Sequence, residues 1–336
     1  MYSIGVVNIK VIIPLAGKGT RLRPHTHSKP KPLVHVAGKP VLGHILDKIK
    51  ELEVEEIVFI TGDMEDQIKD FVSTNYDYNT KYFKQTELLG DGHAINMASG
   101  EIDSDVLIVF VDTLFMRDIK SDIENMGDSE GIVWSSKTED PRRFGILEVN
   151  KNVIKGIEEK PEIPKSDLAI IGLYYFKDSK KVFSYLNKVM EMNLSTKGEY
   201  RLADAMSLMV EDGVELKTFA VDKWLDCGVP ETLLQTNEYL LNNGYSKESP
   251  TNNSVIIKPV YIEKGAIVEN SVIGPNVSVA KDVKLKGCII ENSIIGVGAE
   301  LQNLNLEDSL IGAQTYLVES PKSLNVGDNT QITPKR

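Results

Sequence analysis

Two textures of apolar and polar positions divide the chain. From residue 11 to about 245, short apolar runs alternate with helical spacings. Val11-Ile12-Ile13, residues 56–60 and residues 106–111 are nearly continuous apolar runs, the pattern of buried strands. Between the first two, Val41, Leu42, Ile45, Leu46, Ile49 and Leu52 recur at helical spacing. Helices are also expected over 64–72 and 93–98, and a strand over 81–85. Strand–helix–strand repetition of this kind predicts a parallel sheet covered on both faces, with ligands at the carboxyl ends of its strands. Further on, strands are expected over 131–135, 145–149, 153–158, 169–176 and 213–220. Helices are expected over 180–192, 202–211 and 231–241, where Asn242-Asn243-Gly244 would stop the last. Residues 246–253 (SKESPTNN) are polar, hold a proline and read as a linker.

After residue 254 the period changes. Bulky apolar residues recur every six positions at Val255, Tyr261, Ile267, Ile273, Val279 and Leu285. The phase then slips and resumes at Ile295 and Leu301, and again at Ile311 and Leu317. Related strings stand at 269–274 (ENSVIG), 291–296 (ENSIIG) and 307–312 (EDSLIG). Six is neither a helical period nor simple alternation. It is the period of a hexapeptide β-helix, in which each flat side takes one repeat and turns one aliphatic side chain inward. Four or five turns of 18 residues are expected. The chain thus divides into 1–245, a linker over 246–253, and 254–336.

Length and composition narrow the class without naming a chemistry. A chain of 336 residues favours two domains. The net charge of −11 speaks against non-specific nucleic-acid binding, which needs a basic face. Two cysteines, Cys227 and Cys288, make no disulfide framework and suit a reducing cytoplasm. No apolar run reaches the length of a membrane span, and the first ten residues lack a leader pattern.

One stretch breaks the acidic balance. After the strand at 11–13 comes a glycine turn, Ala16-Gly17-Lys18-Gly19-Thr20, and then Arg21, Arg23, Lys29 and Lys31. Bare backbone N–H groups beside fixed cations suit a polyphosphate. The spacing fits neither a Walker A loop nor a Rossmann fingerprint, whose third glycine position is Leu22 here. That argues against a dinucleotide-dependent oxidoreductase. The whole string, Gly-x-Gly-Thr-Arg-Leu-x-Pro followed by Pro30-Lys31-Pro32-Leu33, closely resembles the signature of the sugar-1-phosphate nucleotidylyltransferases, which include glucose-1-phosphate thymidylyltransferases and uridylyltransferases. The resemblance covers about 11–245, and the later repeats resemble a left-handed parallel β-helix over 254–320.

The resemblance implies an α/β fold with a Rossmann-like, mixed but mainly parallel sheet, followed by that β-helix. It implies transfer of a nucleotidyl group from dTTP or UTP to a hexose 1-phosphate, glucose 1-phosphate above all, with Mg²⁺ as cofactor. Such chemistry needs positioning and charge neutralisation but no covalent nucleophile. By the same resemblance, Leu15, Gly17, Gly19 and Thr20 line the nucleotide, and Gln85 and Gly90 read the base. Arg21 and Lys31 face the triphosphate, while Lys160 holds the sugar phosphate. Gly145, Glu159, Tyr174 and Glu199 lie at the sugar, and Asp112 and Asp226 bind the metal. Two departures stand out: Val111 occupies a position that relatives fill with Gly, and Asp91 replaces a residue that is usually neutral. They keep open a rival, a non-catalytic subunit that only binds nucleotide sugars.

All five histidines precede residue 94. Acyltransferases built on hexapeptide coils resemble one another in using a His base, so the coil is expected to serve assembly or regulation. Self-association into a homo-oligomer is expected, with a nucleoside triphosphate and a sugar 1-phosphate as the other partners, and neither nucleic acid nor membrane.

Overall fold

The computed structural model describes residues 9–320 and 323–331. Residues 1–8, which hold most of the stretch without a leader pattern, lie outside that description, as do 321–322 and 332–336 of the expected C-terminal domain. Contacts divide the chain into two units, 1–236 and 237–336.

In the first unit the strands are β1 (Ile9–Pro14), β2 and β3 (the short hairpin His35–Val36 and Lys39–Pro40), β4 (Val54–Thr61), β5 (Thr80–Lys84), β6 (Val106–Val109), β7 (Thr113–Met116), β8 (Gly131–Lys137), β9 (Gly145–Asn150), β10 (Val153–Glu159), β11 (Leu168–Phe176), β12 (Leu216–Lys217) and β13 (Lys223–Asp226). The helices are α1 (Val41–Ile49), α2 (Glu65–Asn75), α3 (Asp91–Asn96), α4 (Ile119–Glu124), α5 (Ser179–Glu191) and α6 (Leu202–Glu211), and α7 (Pro230–Leu240) runs across the boundary at 236. Nine strands form one sheet in the order β5-β4-β1-β6-β11-β8-β12-β10-β9. The first four are parallel, and β11 joins antiparallel to β6. The sheet is therefore mixed and only half of it follows the doubly wound pattern. Side chains alternate across it: Ile12, Val58, Ile60, Val106 and Ile108 share a core with α3, α5 and α6. The carboxyl ends of β1, β5 and β6 run directly into Leu15, Gln85 and Phe110–Asp112, and this is what assembles the site.

β7 and β13 pair as a separate two-stranded sheet, an arrangement that the apolar pattern alone did not announce. The run expected as a strand over 106–111 ends at Val109, and the strand expected over 213–220 shrinks to Leu216–Lys217.

α1 shows how burial carries a pH dependence. Its apolar positions Val41, Leu42, Ile45, Leu46 and Ile49 are all buried, and His44 is buried with them. His44 Nε2 donates to the Val36 carbonyl at 2.9 Å, so the ring sits as the neutral Nε2–H tautomer. Burial pushes its pKa down from 6.5 to about 4. Between those values the unfolded chain takes up a proton that the native ring refuses. Stability should therefore fall as pH drops from about 6.5 to about 4, by roughly 3 kcal/mol from this residue. Urea denaturation at pH 7 and pH 4.5 checks this: His44→Gln should lose less stability across that interval than the wild type.

From Val255 on, the described residues of the second unit form a three-sided parallel β-helix of four turns. Its first side stacks Val255–Ile256, Val272–Ile273, Ile289–Ile290 and Asn305–Leu306. Successive turns advance by 17, 17 and 16 residues along this side, as Val255, Val272, Ile289 and Asn305 align in register. A strict step of six would need 18. The short turns correct the sequence frame: Val255 and Ile267 are 58% and 50% exposed and Tyr261 is half-buried, while Ile256, Ile262 and Val268 point inward instead. A slip of one residue flips a strand's faces, so the frame is right from Ile273 to Ile311 and inverted before it, while Leu317 on the last strand is exposed. Tight corners account for the Asn and Gly content. Asn253, Asn270, Gly287 and Asn303 occupy one corner in successive turns, all with positive φ, where Gly and Asn are the least strained residues. Residues 246–253, expected as a linker, run along the first turn: Lys247 N donates to Val260 O, and Asn252 N to Val268 O, each at 2.8 Å.

Candidate active site

The glycine turn after β1 is shaped by contact as well as by backbone freedom. Gly19 has φ +59°, and a Cβ there would lie 3.0 Å from Lys31 Cβ. Thr26 Oγ1 closes the loop by donating to Gly19 O at 2.8 Å. Lys31 is thereby brought under the turn, where its Nζ stands 3.4 Å from Asp112 Oδ2. Arg21 lies on the side of the other acid: a Cβ at Gly228 would lie 3.3 Å from Arg21 Nη2 and 2.7 Å from Asp226 Oδ1.

The two acids meet because β7 and β13 pair. Thr113 stands opposite Asp226, and Cys227 N donates to Asp112 O at 2.9 Å. Asp226 Oδ1 accepts from Gly228 N at 2.7 Å, which fixes its rotamer. Cys227 beneath them is fully buried, and burial pushes its thiol up to about 12, so it stays protonated and inert. Among the described residues no group of three or more His, Cys, Asp or Glu forms a metal cluster. Two carboxylates are still a fitting donor set for a hard divalent ion, which commonly takes one or two from the protein and the rest from phosphate and water. Asp112 is 42% exposed on its side chain and only loosely paired with Lys31, which leaves it available.

Every residue expected at the site lines one of two adjoining cavities, of about 360 and 380 Å³. Leu15, Gly17, Gly19, Thr20, Lys31, Gln85 and Gly90 line the first. Gly145, Glu159, Lys160, Tyr174 and Asp226 line the second. Arg21, Asp91, Phe110 and Asp112 line both. Glu199 lines the first cavity and pairs with Arg201, which lines the second. Of the other loop cations, Lys18 and Arg23 line a further hollow of about 590 Å³, which adjoins the first cavity through Leu15, Gly17 and Gln85.

Gln85 is buried, and its amide orientation is settled by its neighbours. Nε2 donates to Gly90 O at 3.2 Å and to His93 Nδ1 at 3.0 Å. A carbonyl can only accept, so both amide hydrogens are used and Oε1 is left as an acceptor. In the second cavity, Gly145 makes room for Glu159: a Cβ there would lie 2.9 Å from Glu159 Oε2. Burial raises the Glu159 pKa, and Lys160, with Nζ at 3.2 Å, opposes that rise. Tyr174 is fully buried beside Phe110, and burial holds its phenol well above the usual range.

The two departures find explanations of different strength. The Asp91 carboxylate is turned to the Leu202 N–H and to Arg201, a guanidinium it shares with Glu199. Val111 is buried on the wall of the first cavity, and nothing in the structure shows what its extra bulk does. Arg201, Phe110 and Arg143 line the second cavity without having been singled out in the sequence, where no motif marks them.

Residues 10–243 match the family described as nucleotidyl transferase, and residues 237–317 match one described as GlmU-like, C-terminal hexapeptide. The chain is 34% identical over 264 residues to the bifunctional protein GlmU of Methanocaldococcus jannaschii, covering 76% of this chain and 60% of that one. It thus spans under two thirds of that relative's length. It is 28% identical over 341 residues to a glucose-1-phosphate thymidylyltransferase of Streptomyces griseus, covering 94% and 95% of the two chains. A UDP-glucose pyrophosphorylase complexed with UDP-glucose shares the fold, with a TM-score of 0.62 at 21% identity over 70% of this chain and 100% of that one. The chain belongs to the nucleotidyl transferase family.

Proposed function

We propose that this nucleotidyl transferase moves a nucleotidyl group from UTP or dTTP to a hexose 1-phosphate, glucose 1-phosphate first, releasing pyrophosphate. The observation that carries the reading is the single cleft. Arg21, Lys31, Asp112 and Asp226 converge where the base-side and sugar-side cavities meet. A subunit that only bound nucleotide sugars would have no need to keep all four.

In this reading a sugar-phosphate oxygen attacks the α-phosphorus as the bond to the pyrophosphate oxygen breaks. Lys160 holds the sugar phosphate, and the half-buried Glu159 accepts from a sugar hydroxyl. Arg21 and Lys31 meet the charge that builds on the triphosphate, Arg21 through a two-pronged fork and Lys31 as a point charge. Asp112 and Asp226 would hold a divalent cation, Mg²⁺ by its usual partnership with phosphates, which when bound supplies further neutralisation.

The base preference follows from Gln85. Its free Oε1 matches the N3–H of uracil or thymine, whereas cytosine and adenine offer a lone pair at the corresponding ring nitrogen. A panel of triphosphates against several sugar 1-phosphates, acetamido sugars included, tests this by pyrophosphate release. UTP or dTTP should exceed CTP at least about tenfold in kcat/KM. Equal use of CTP would overturn the base assignment.

For the β-helix we propose assembly. The outward residues of its first side, Val255, Val272 and Ile289, form an aliphatic stripe that supports self-association. Two buried free cysteines, and no described helix long and apolar enough to cross a membrane, support a cytoplasmic setting.

A further inference from the structure

We propose that Asp91 is a positioning residue that ties the base-reading loop to the wall of the sugar cavity and so couples the binding of the two substrates. The inference rests on reading the cleft as a nucleotide and sugar-phosphate site.

Two segments more than a hundred residues apart are bonded together here. Tyr200 N donates to Leu89 O at 2.8 Å, and Gly92 N donates to Tyr200 O at 2.9 Å. Asp91 closes the seam with both oxygens. Oδ1 accepts from Leu202 N at 2.8 Å, where it caps the first turn of α6, and Oδ2 accepts from Arg201 Nη1 at 2.8 Å. The cap position itself is Arg201, whose side chain supplies no such bond, so α6 borrows its cap from the facing loop. The pair is mostly buried, at 19% and 20% side-chain exposure, which makes its geometry demanding. The seam is also too tight for side chains. A Cβ at Gly90 would lie 2.3 Å from Tyr200 O, and one at Gly92 would lie 2.9 Å from Arg201 C.

Asp91 itself borders both cavities and Glu199 borders the first, so the seam runs where the two subsites adjoin. Gly90 O holds the Gln85 amide on the base side. Arg201 and Ala203 line the sugar cavity with Glu159 and Tyr174. A sugar phosphate that orders residues 199–203 therefore also orders 89–92, and the nucleotide that follows has less ordering left to do. By linkage the effect must be the same in either order of binding.

Calorimetry on the full chain reads the coupling directly. The probes are α,β-methylene-UTP, which cannot release pyrophosphate, and glucose 1-phosphate. In the wild type, saturating glucose 1-phosphate should tighten the analogue's binding at least about fivefold. In Asp91→Ala that factor should fall to near one. Asp91→Asn, which keeps an oxygen for Leu202 N but loses the charge facing Arg201, should lie between. If Asp91→Ala does not fold, Arg201→Met, with the factor expected near one, and Asp91→Asn, with its partial loss, carry the test. A wild-type factor of one, or an undiminished factor in the variants, overturns the proposal. If the wild type turns over UTP and glucose 1-phosphate while showing no coupling, the proposal alone fails. If it binds neither ligand, the reading of the cleft fails too.

Discussion

Arg21→Ala should lower kcat by about 10³-fold while leaving the melting temperature nearly unchanged. Arg21 is exposed to solvent in the turn Thr20–Leu22, so its removal opens no cavity and strands no buried partner. Its guanidinium lines both cavities and sits beside Gly228 and the Asp226 carboxylate. That is where negative charge must be met as the triphosphate is cleaved. A preorganised charged donor contributes most where water is excluded and charge is still developing. Arg21→Lys should recover only part of the loss, since an ammonium restores the charge without the fork. Steady-state pyrophosphate release, with KM for both substrates, checks it: kcat should fall more than either KM rises.

Asp112→Asn should cost roughly as much, about 10³-fold in kcat, through a different cause. The substitution keeps the shape and removes one of the two carboxylates offered to a divalent ion. It also releases Lys31, whose Nζ is 3.4 Å from Asp112 Oδ2. The concentration of Mg²⁺ giving half-maximal rate should therefore rise together with the fall in kcat. A merely structural Asp112 would change the melting temperature and leave the magnesium titration alone.

Much of this cleft was legible along the chain, and the parts that were not share a cause. The apolar runs of β1, β4 and β6 are buried on both faces, so their composition announced them. The loop from Gly17 to Lys31 was legible because its residues stand close together in sequence. Asp112 and Asp226 could be singled out by resemblance, but their meeting depends on β7 pairing with β13 across more than a hundred residues, which no local period records. Asp91 looked like an unexplained extra carboxylate because its partner, Arg201, is equally distant. Gln85 was identified, yet which half of its amide stays free is decided by Gly90 O and His93. The β-helix was legible as a period, while its face assignment before Ile273 was inverted by turns of 17 residues in place of 18. A pattern reports that a face exists, and only the length of the turn says which residues point to it.

The central claim is that one cleft brings a triphosphate and a sugar phosphate together for transfer between them. Phosphorus-31 spectroscopy of the protein with UTP or dTTP, glucose 1-phosphate and Mg²⁺ tests it most directly. The sugar-phosphate and triphosphate signals should fall together, with one diphosphate-linked sugar and one pyrophosphate appearing for each pair consumed. Triphosphate lost to water while the sugar phosphate stays intact, or no change in either, would contradict it.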